Sequence, residues 1–143
     1  MKIELRFAKG GVLVGELKKE YGSPRTVEML KQARGFTSLA KHSRYSGREV
    51  YFATSKSLLA PKEQYAIYLS KGDIIYWRAW RDDGQDPVLS FYYGAEHARG
   101  PQGDEPVNVI GRIREDLLPL AEEIGLRVWL EGAEQIEVVI SGD

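Results

Sequence analysis

The chain has 143 residues, 43% hydrophobic and 29% charged, with a formal net charge of −1. These proportions exclude extensive disorder and fit a single domain, 1–143. The absence of cysteine excludes disulfides, thiol nucleophiles, iron–sulfur clusters and thiolate zinc sites. No apolar run approaches the roughly 18 residues that span a bilayer. The first residues alternate polar and apolar without an apolar leader, so a cytoplasmic location away from membranes is expected.

Lys2–Phe7 alternates strictly, the mark of a half-buried strand. Gly10-Gly11 supplies a turn, and Val12–Leu17 reads as the hairpin partner. Ser23-Pro24 opens a helix, with Ser23 as the cap and Pro24 at the first helical position. Val27, Leu30 and Ala33 form its apolar stripe and Gly35 its stop. Residues 36–48 show neither period and read as a long basic loop, a kind of segment that is often functional. Strands follow at Glu49–Thr54, Gln64–Leu69, Ile74–Trp80 and Pro87–Tyr93, separated by turns at 70–73 and 82–84. Residues 95–105 read as a second long loop, and Val107–Ile113 as another strand. Asp116 is placed to cap a second helix carrying Leu117, Leu120 and Ile124, stopped at Gly125. Leu126–Leu130 and Ile136–Ile140 read as a closing hairpin. Many short strands with turn signals argue for a sandwich or closed barrel, and closure removes exposed edges.

The near-zero net charge hides an asymmetry. Residues 18–48 hold eight basic side chains against two acidic ones, and residues 104–143 hold ten acidic against three basic. The first stretch attracts phosphates if left open. The more ordinary expectation is a solvated face balanced by the second stretch, within one chain or across a homo-oligomer.

Ser23-Pro24-Arg25-Thr26-Val27-Glu28 resembles the helix start of cyclophilins, and Val107-Asn108-Val109-Ile110-Gly111-Arg112-Ile113 is similar to one of their later strands. Glu49-Val50-Tyr51-Phe52, Gly72-Asp73-Ile74-Ile75-Tyr76-Trp77, Phe91-Tyr92-Tyr93-Gly94 and Pro106–Arg112 are more similar to a family of small prokaryotic proteins of unassigned activity with a minimal cyclophilin-like domain. The resemblance spans nearly the whole chain. It implies a mainly β, closed, roughly eight-stranded barrel with two short helices covering its ends. It also places the cyclophilin catalytic arginine on Phe52 and the pocket histidine on Val107, while Phe91 and Tyr92 match a Phe-Phe pair on a pocket strand.

Proline isomerisation needs a dry pocket and a donor aimed at the prolyl nitrogen, because that nitrogen's resonance underlies a barrier of roughly 18–20 kcal/mol. Arg78, among Trp77 and Trp80, or Arg48 are the side chains able to replace the lost arginine. Twelve of the fifteen aromatics lie between Phe36 and Tyr93. Alternation places Tyr76, Arg78 and Trp80 on one face, expected to meet a ligand, and Ile75, Trp77 and Ala79 on the other, expected in the core. Asn108 interrupts an apolar strand and, if buried, needs partners. His97, between Glu96 and Arg99, is the histidine with neighbours able to orient it. No His, Asp or Glu pair has metal-ligand spacing and no phosphate loop is present, so no metal or cofactor is expected.

Three functions follow. The first, and the one the sequence favours, is a binding module for a peptide or small ligand, drawing on Arg48, Tyr51, Tyr76, Arg78, Trp80, Phe91, Tyr92 and His97. The second is a weak prolyl isomerase with a rebuilt site. The third is single-stranded nucleic-acid binding through the basic and aromatic stretches 41–48 and 77–81, disfavoured because the chain is not basic overall.

Overall fold

A computed structural model describes residues 1–81 and 84–142. Eight antiparallel strands close into a barrel: β1 (Lys2–Phe7), β2 (Val12–Leu17), β3 (Gly35–His42), β4 (Glu49–Ala53), β6 (Asp73–Trp77), β7 (Val88–Tyr92), β11 (Asn108–Ile113) and β12 (Glu134–Ser141). Their order around the barrel is β1-β12-β3-β4-β7-β6-β11-β2. Four two-residue strands make two small ladders outside it: β5 (Tyr68–Leu69) with β8 (Glu96–His97), and β9 (Arg99–Gly100) with β10 (Gly103–Asp104). Helix α1 (Pro24–Leu30) and helix α2 (Leu118–Glu131) complete the chain. The fold expected from the sequence, a mainly β closed barrel with two helices, is the one observed.

The alternation of β1 explains the closure. Ile3, Leu5 and Phe7 point inward, and Phe7 meets Phe91 edge-on with ring centroids 6.1 Å apart. Lys2, Glu4 and Arg6 point outward and pair with one another and with Glu137. Leu13, Val50, Phe52, Ile74, Leu89 and Ile110 fill the remaining interior, all fully buried. Val27 and Leu30 of α1, and Ala121, Ile124 and Val128 of α2, join the same core.

Several elements differ from expectation. Most of the 36–48 segment is strand β3, which pairs with β12 from Gly35 to Ala40 and with β4 at Lys41 and His42. Its period is hidden because only Ala40 among its side chains is fully buried. Residues 126–130 are helix, not strand: Ala121, Ile124, Gly125 and Val128 keep helical spacing, and the absence of a side chain at Gly125 lets the helix lie against Tyr93. The stretch expected as strand 64–69 holds one bridge, Ala66 to Val107, and the short β5. The 95–105 loop carries the small ladders.

Neither expected side-chain cap forms. Ser23 Oγ instead donates to Gln64 Oε1 (2.6 Å), and Glu63 caps α1 from a distance, accepting the Arg25 and Thr26 N–H groups at 2.9 Å each. Asp116 pairs with Arg114. The turn expected at 82–84 lies partly outside the described residues. Among the described residues no ion pair joins a cation of 18–48 to an acid of 104–143: Lys18 pairs with Glu16, Lys19 and Lys31 with Glu28, and Arg48 with Glu96. No helix of the described chain is long and apolar enough to cross a membrane.

The β6 faces are inverted. Tyr76 is fully buried inside the barrel, its hydroxyl donating to Leu58 O (2.6 Å) and accepting from Ala60 N–H (3.0 Å). Ile75 and Trp77 face outward with Tyr92, Leu69, Ala98 and Val107. A period of two says which residues share a face, but not which face the barrel encloses.

Candidate functional site

The outer face of β4, β7 and β6 is the floor of a cleft of about 800 Å³. The strand register places Glu49 opposite Tyr92 and Tyr51 opposite Ser90, with Ser90 opposite Ile75 and Trp77 opposite Val88. The 43–46 turn, residues 79–81 and the 98–107 segment rise around this floor. A second depression, about 620 Å³ between Met1, Tyr21 and Lys31, is bordered largely by solvated Lys and Glu side chains and holds no buried polar residue.

Glu49 is the unusual group. Its carboxyl is buried, yet no Lys or Arg among the described residues pairs with it. Hydroxyl groups surround it instead. Ser90 Oγ donates to Oε2 at 2.6 Å, and the Tyr92, Ser43 and Ser46 hydroxyls also reach the carboxyl. Burial pushes Glu49 above the usual carboxylate range, and the hydroxyl contacts oppose that shift. The serines are fixed by their own bonds. Ser43 Oγ accepts the Ser46 N–H (2.9 Å), and Ser46 Oγ donates to Arg99 O (3.0 Å) while accepting the Arg99 N–H (2.9 Å). The Tyr92 hydroxyl is fully buried and makes no well-formed hydrogen bond. Burial, and then the nearby Glu49 charge, push it well above the usual phenol range.

The walls are aromatic and the rim is cationic. Trp77 Nε1 donates to Glu105 Oε2 (3.3 Å) and Trp80 Nε1 to Pro106 O (3.0 Å), which fix both indoles on the lining. Arg44, Lys62, Arg81 and Arg99 stand around the mouth. Lys62 sits 4.0 Å over the Tyr65 ring, and Arg99 contacts His97 Nδ1 at 3.1 Å. Arg44 and Arg81 make no hydrogen bond or ion pair to the described residues. The two acids of the rim are engaged, Glu105 with Trp77 and Asp104 with His97 Nε2 at 2.6 Å. Among the described residues no cluster of His, Asp and Glu is arranged to hold a metal ion.

Of the side chains singled out in the sequence, the cleft brings together Tyr51, Trp80 and Tyr92. Tyr76 and Phe91 lie inside the barrel, away from any ligand on the outer face. Arg78 Nε donates to Ala60 O (2.8 Å) and its guanidinium lies 5.7 Å over the Trp80 ring, so it anchors the 58–60 segment outside the cleft lining. Arg48 is exposed beyond the cleft and pairs with Glu96. His97 stands behind the wall, between Tyr68 and Asp104. Asn108 is buried in the scaffold, accepting from Glu63 and Gln64 N–H and donating to Thr26 Oγ1 and Pro61 O.

Glu49, which lines the cleft, and Ser90, bonded to it, are not singled out in the sequence; Trp77 is there expected in the core or in the 77–81 stretch, and Ser43 and Ser46 only as part of the 41–48 stretch. Glu49 carries a weak signal: a carboxylate at the start of an otherwise largely apolar strand, on the same face as Tyr51. The serines carried none, because hydroxyl residues in loops and strands are common.

The fold and site together define a closed eight-stranded antiparallel barrel with an aromatic cleft on its outer wall. The chain belongs to the DUF3830 family, described as a protein of unknown function, whose model matches residues 8–140. The structure of McbB in complex with tryptophan is similar at 18% identity with a TM-score of 0.77, over 99% of this chain and 45% of that one. The chain therefore spans less than half the length of that neighbour. A cyclophilin-type peptidyl-prolyl cis-trans isomerase of Cryptosporidium parvum, crystallised in the presence of the dipeptide Ala-Pro, is similar at 13% identity with a TM-score of 0.50, over 100% of both chains. At these identities the likeness concerns the fold alone. No protein among the curated sequences matches the chain.

Proposed function

We propose that the protein binds a small aromatic ligand carrying an anionic group in the outer cleft, with the ring between the aromatic walls and the anion at the arginine rim. The observation that carries this reading is the combination of indoles fixed by Glu105 and Pro106 with two rim guanidinium groups, Arg44 and Arg81, that make no bond to the described residues. The volume, about 800 Å³, is that of small-molecule sites, which span roughly 300–1,000 Å³. Guanidinium groups suit carboxylates because their donors match both oxygens. McbB, whose fold is similar, was solved with tryptophan, a ligand of this chemical type.

The test is intrinsic tryptophan fluorescence, since Trp77 and Trp80 line the cleft. Titration with L-tryptophan is unsuitable optically, so phenylpyruvate serves as the probe. Saturable quenching is expected, weakened about tenfold by Arg81→Ala, equivalent to about 1.4 kcal/mol. Absence of saturable quenching contradicts the reading.

Nucleic acid is the second reading, and one observation favours it: the 41–48 and 77–81 stretches both border this cleft, through Arg44, Tyr45, Trp77 and Arg81. Aromatic walls with arginines also accept a stacked base and its phosphate. Oligonucleotide binding that weakens steeply between about 50 and 200 mM salt would favour it. The prolyl-isomerase reading receives no such support, because Arg48 and Arg78 both lie outside the cleft.

A further inference from the structure

A cleft that only held an aromatic acid by its ring and carboxylate would not require a buried carboxyl on its floor. Glu49 is buried without a cationic partner, directly across the strand pair from Tyr92, whose hydroxyl is buried without a well-formed bond. Residues directly opposite on one sheet face have Cβ atoms about 4.5–5.5 Å apart, and both side chains line the same cleft, with the Tyr92 hydroxyl reaching the Glu49 carboxyl. The Tyr92 hydroxyl lies beside the Glu49 carboxyl without a well-formed bond, and a ligand oxygen accepting its proton supplies one.

We propose that Glu49 and Tyr92 are a proton-transfer pair: Glu49 takes a proton from the carbon beside the carbonyl of an aromatic 2-oxo acid, while Tyr92 donates a hydrogen bond to the carbonyl oxygen. The step balances without a co-reactant. The C–H bond breaks and its electron pair forms the carbon–carbon double bond. The carbonyl π pair moves onto oxygen, the proton resides on the Glu49 carboxylate, and its return to oxygen gives the enol or to carbon restores the ketone. The inference rests on the reading of the cleft as a site for aromatic anions.

The rest of the floor argues for this chemistry over acyl transfer. Ser90 spends its proton on Glu49 and Ser46 spends its own on Arg99 O. The histidines are also occupied: His42 bonds Tyr93 and Ser43 O, and His97 lies against Asp104. Among the described residues no serine hydroxyl is hydrogen-bonded to a histidine ring, as nucleophilic catalysis by serine requires. A carboxylate with an opposed neutral O–H donor is instead the arrangement that removes a proton next to a carbonyl and stabilises the enolate oxygen. The elevated proton affinity of Glu49, caused chiefly by burial, makes its ionised form a stronger base.

The test is exchange of the benzylic protons of phenylpyruvate in D2O, followed by proton NMR, with fluorescence quenching measured on the same samples. Wild-type protein is expected to accelerate exchange by about 100-fold or more, the scale of positioned general-base catalysis. Glu49→Gln is expected to fall to the uncatalysed rate while still binding phenylpyruvate, and Tyr92→Phe to lose about tenfold or more, the scale of a lost oxyanion donor. The rate should rise with pH as Glu49 ionises, a limb that Glu49→Gln lacks. Circular dichroism melts identify a variant that fails to fold, and the wild-type pH profile decides the matter in that case. Phenylpyruvate that binds but exchanges at the uncatalysed rate overturns the proton-transfer proposal and leaves the binding reading standing. Wild-type exchange in Glu49→Gln overturns Glu49 as the base. Failure of phenylpyruvate to bind overturns both.

Discussion

Glu49 links the stability of the barrel to pH in a direction opposite to that of a salt-bridged carboxylate. Burial raises its affinity for the proton in the folded state. Its favourable contribution is therefore complete below the unfolded value of about 4.3 and is lost as pH rises through the higher folded value. The melting temperature of Glu49→Gln relative to wild type is expected to climb with pH across that window. Thermal melts at successive pH values check this, and a difference constant with pH contradicts it. Gly125 gives a second test. A Cβ there would lie 2.2 Å from Tyr93 Cε1, and the Tyr93 ring is nearly buried, with its hydroxyl held by His42. Alanine gains about 1 kcal/mol of helix propensity, but overpacking costs typically about 1–3 kcal/mol. Gly125→Ala is therefore expected to lower the urea midpoint, whereas a raised midpoint would show that Tyr93 moves freely. The sequence offered Gly125 as a helix stop, since a glycine needed for close approach and a glycine needed for a turn look alike without the partner ring.

At the scale of elements, legibility followed the contrast between faces. β1 was readable because its inward residues are apolar and its outward ones charged. β3 was not, because α2 lies on one side of it and solvent on much of the rest, which leaves little periodic contrast. The cap of α1 was misassigned to Ser23 for a related reason. Its N–H groups are satisfied by Glu63, which the chain delivers from far downstream, with Asn108 positioning the backbone of Glu63 and Gln64. Glu63→Ala is expected to cost about 1–2 kcal/mol, the scale of a lost helix cap, as a reduced urea midpoint. An unchanged midpoint would show that the α1 N-terminus is satisfied without it. For the candidate site, the aromatic strands were recognisable but their orientation was not. Tyr92 and Trp80 were named, while Trp77 was assigned to the core and Tyr76 to the ligand, because the alternation of β6 fits either choice until closure places Tyr76 inside.

For the whole molecule, closure uses the interior for packing and leaves ligand recognition to the outside. The barrel lumen is filled by Phe52, Tyr76, Leu89 and Phe91, so a ligand must sit on the outer wall, where the loops between distant strands meet. That convergence joins residues 43–51 to residues 75–81 and 98–107, three segments whose proximity follows from strand order rather than from any local motif. It also gives the three tryptophans separate roles: Trp77 and Trp80 in the cleft, Trp129 exposed on α2 against His42. The most direct measurement is a titration of 15N-labelled protein with phenylpyruvate, following the three indole N–H signals and the backbone amides. Saturable shifts are expected at the Trp77 and Trp80 indoles and at the amides of Glu49, Tyr51 and Tyr92, with the Trp129 indole unmoved. Shifts confined to Trp129 and α2, or no saturable shift at all, would contradict the assignment of the outer cleft as the ligand site.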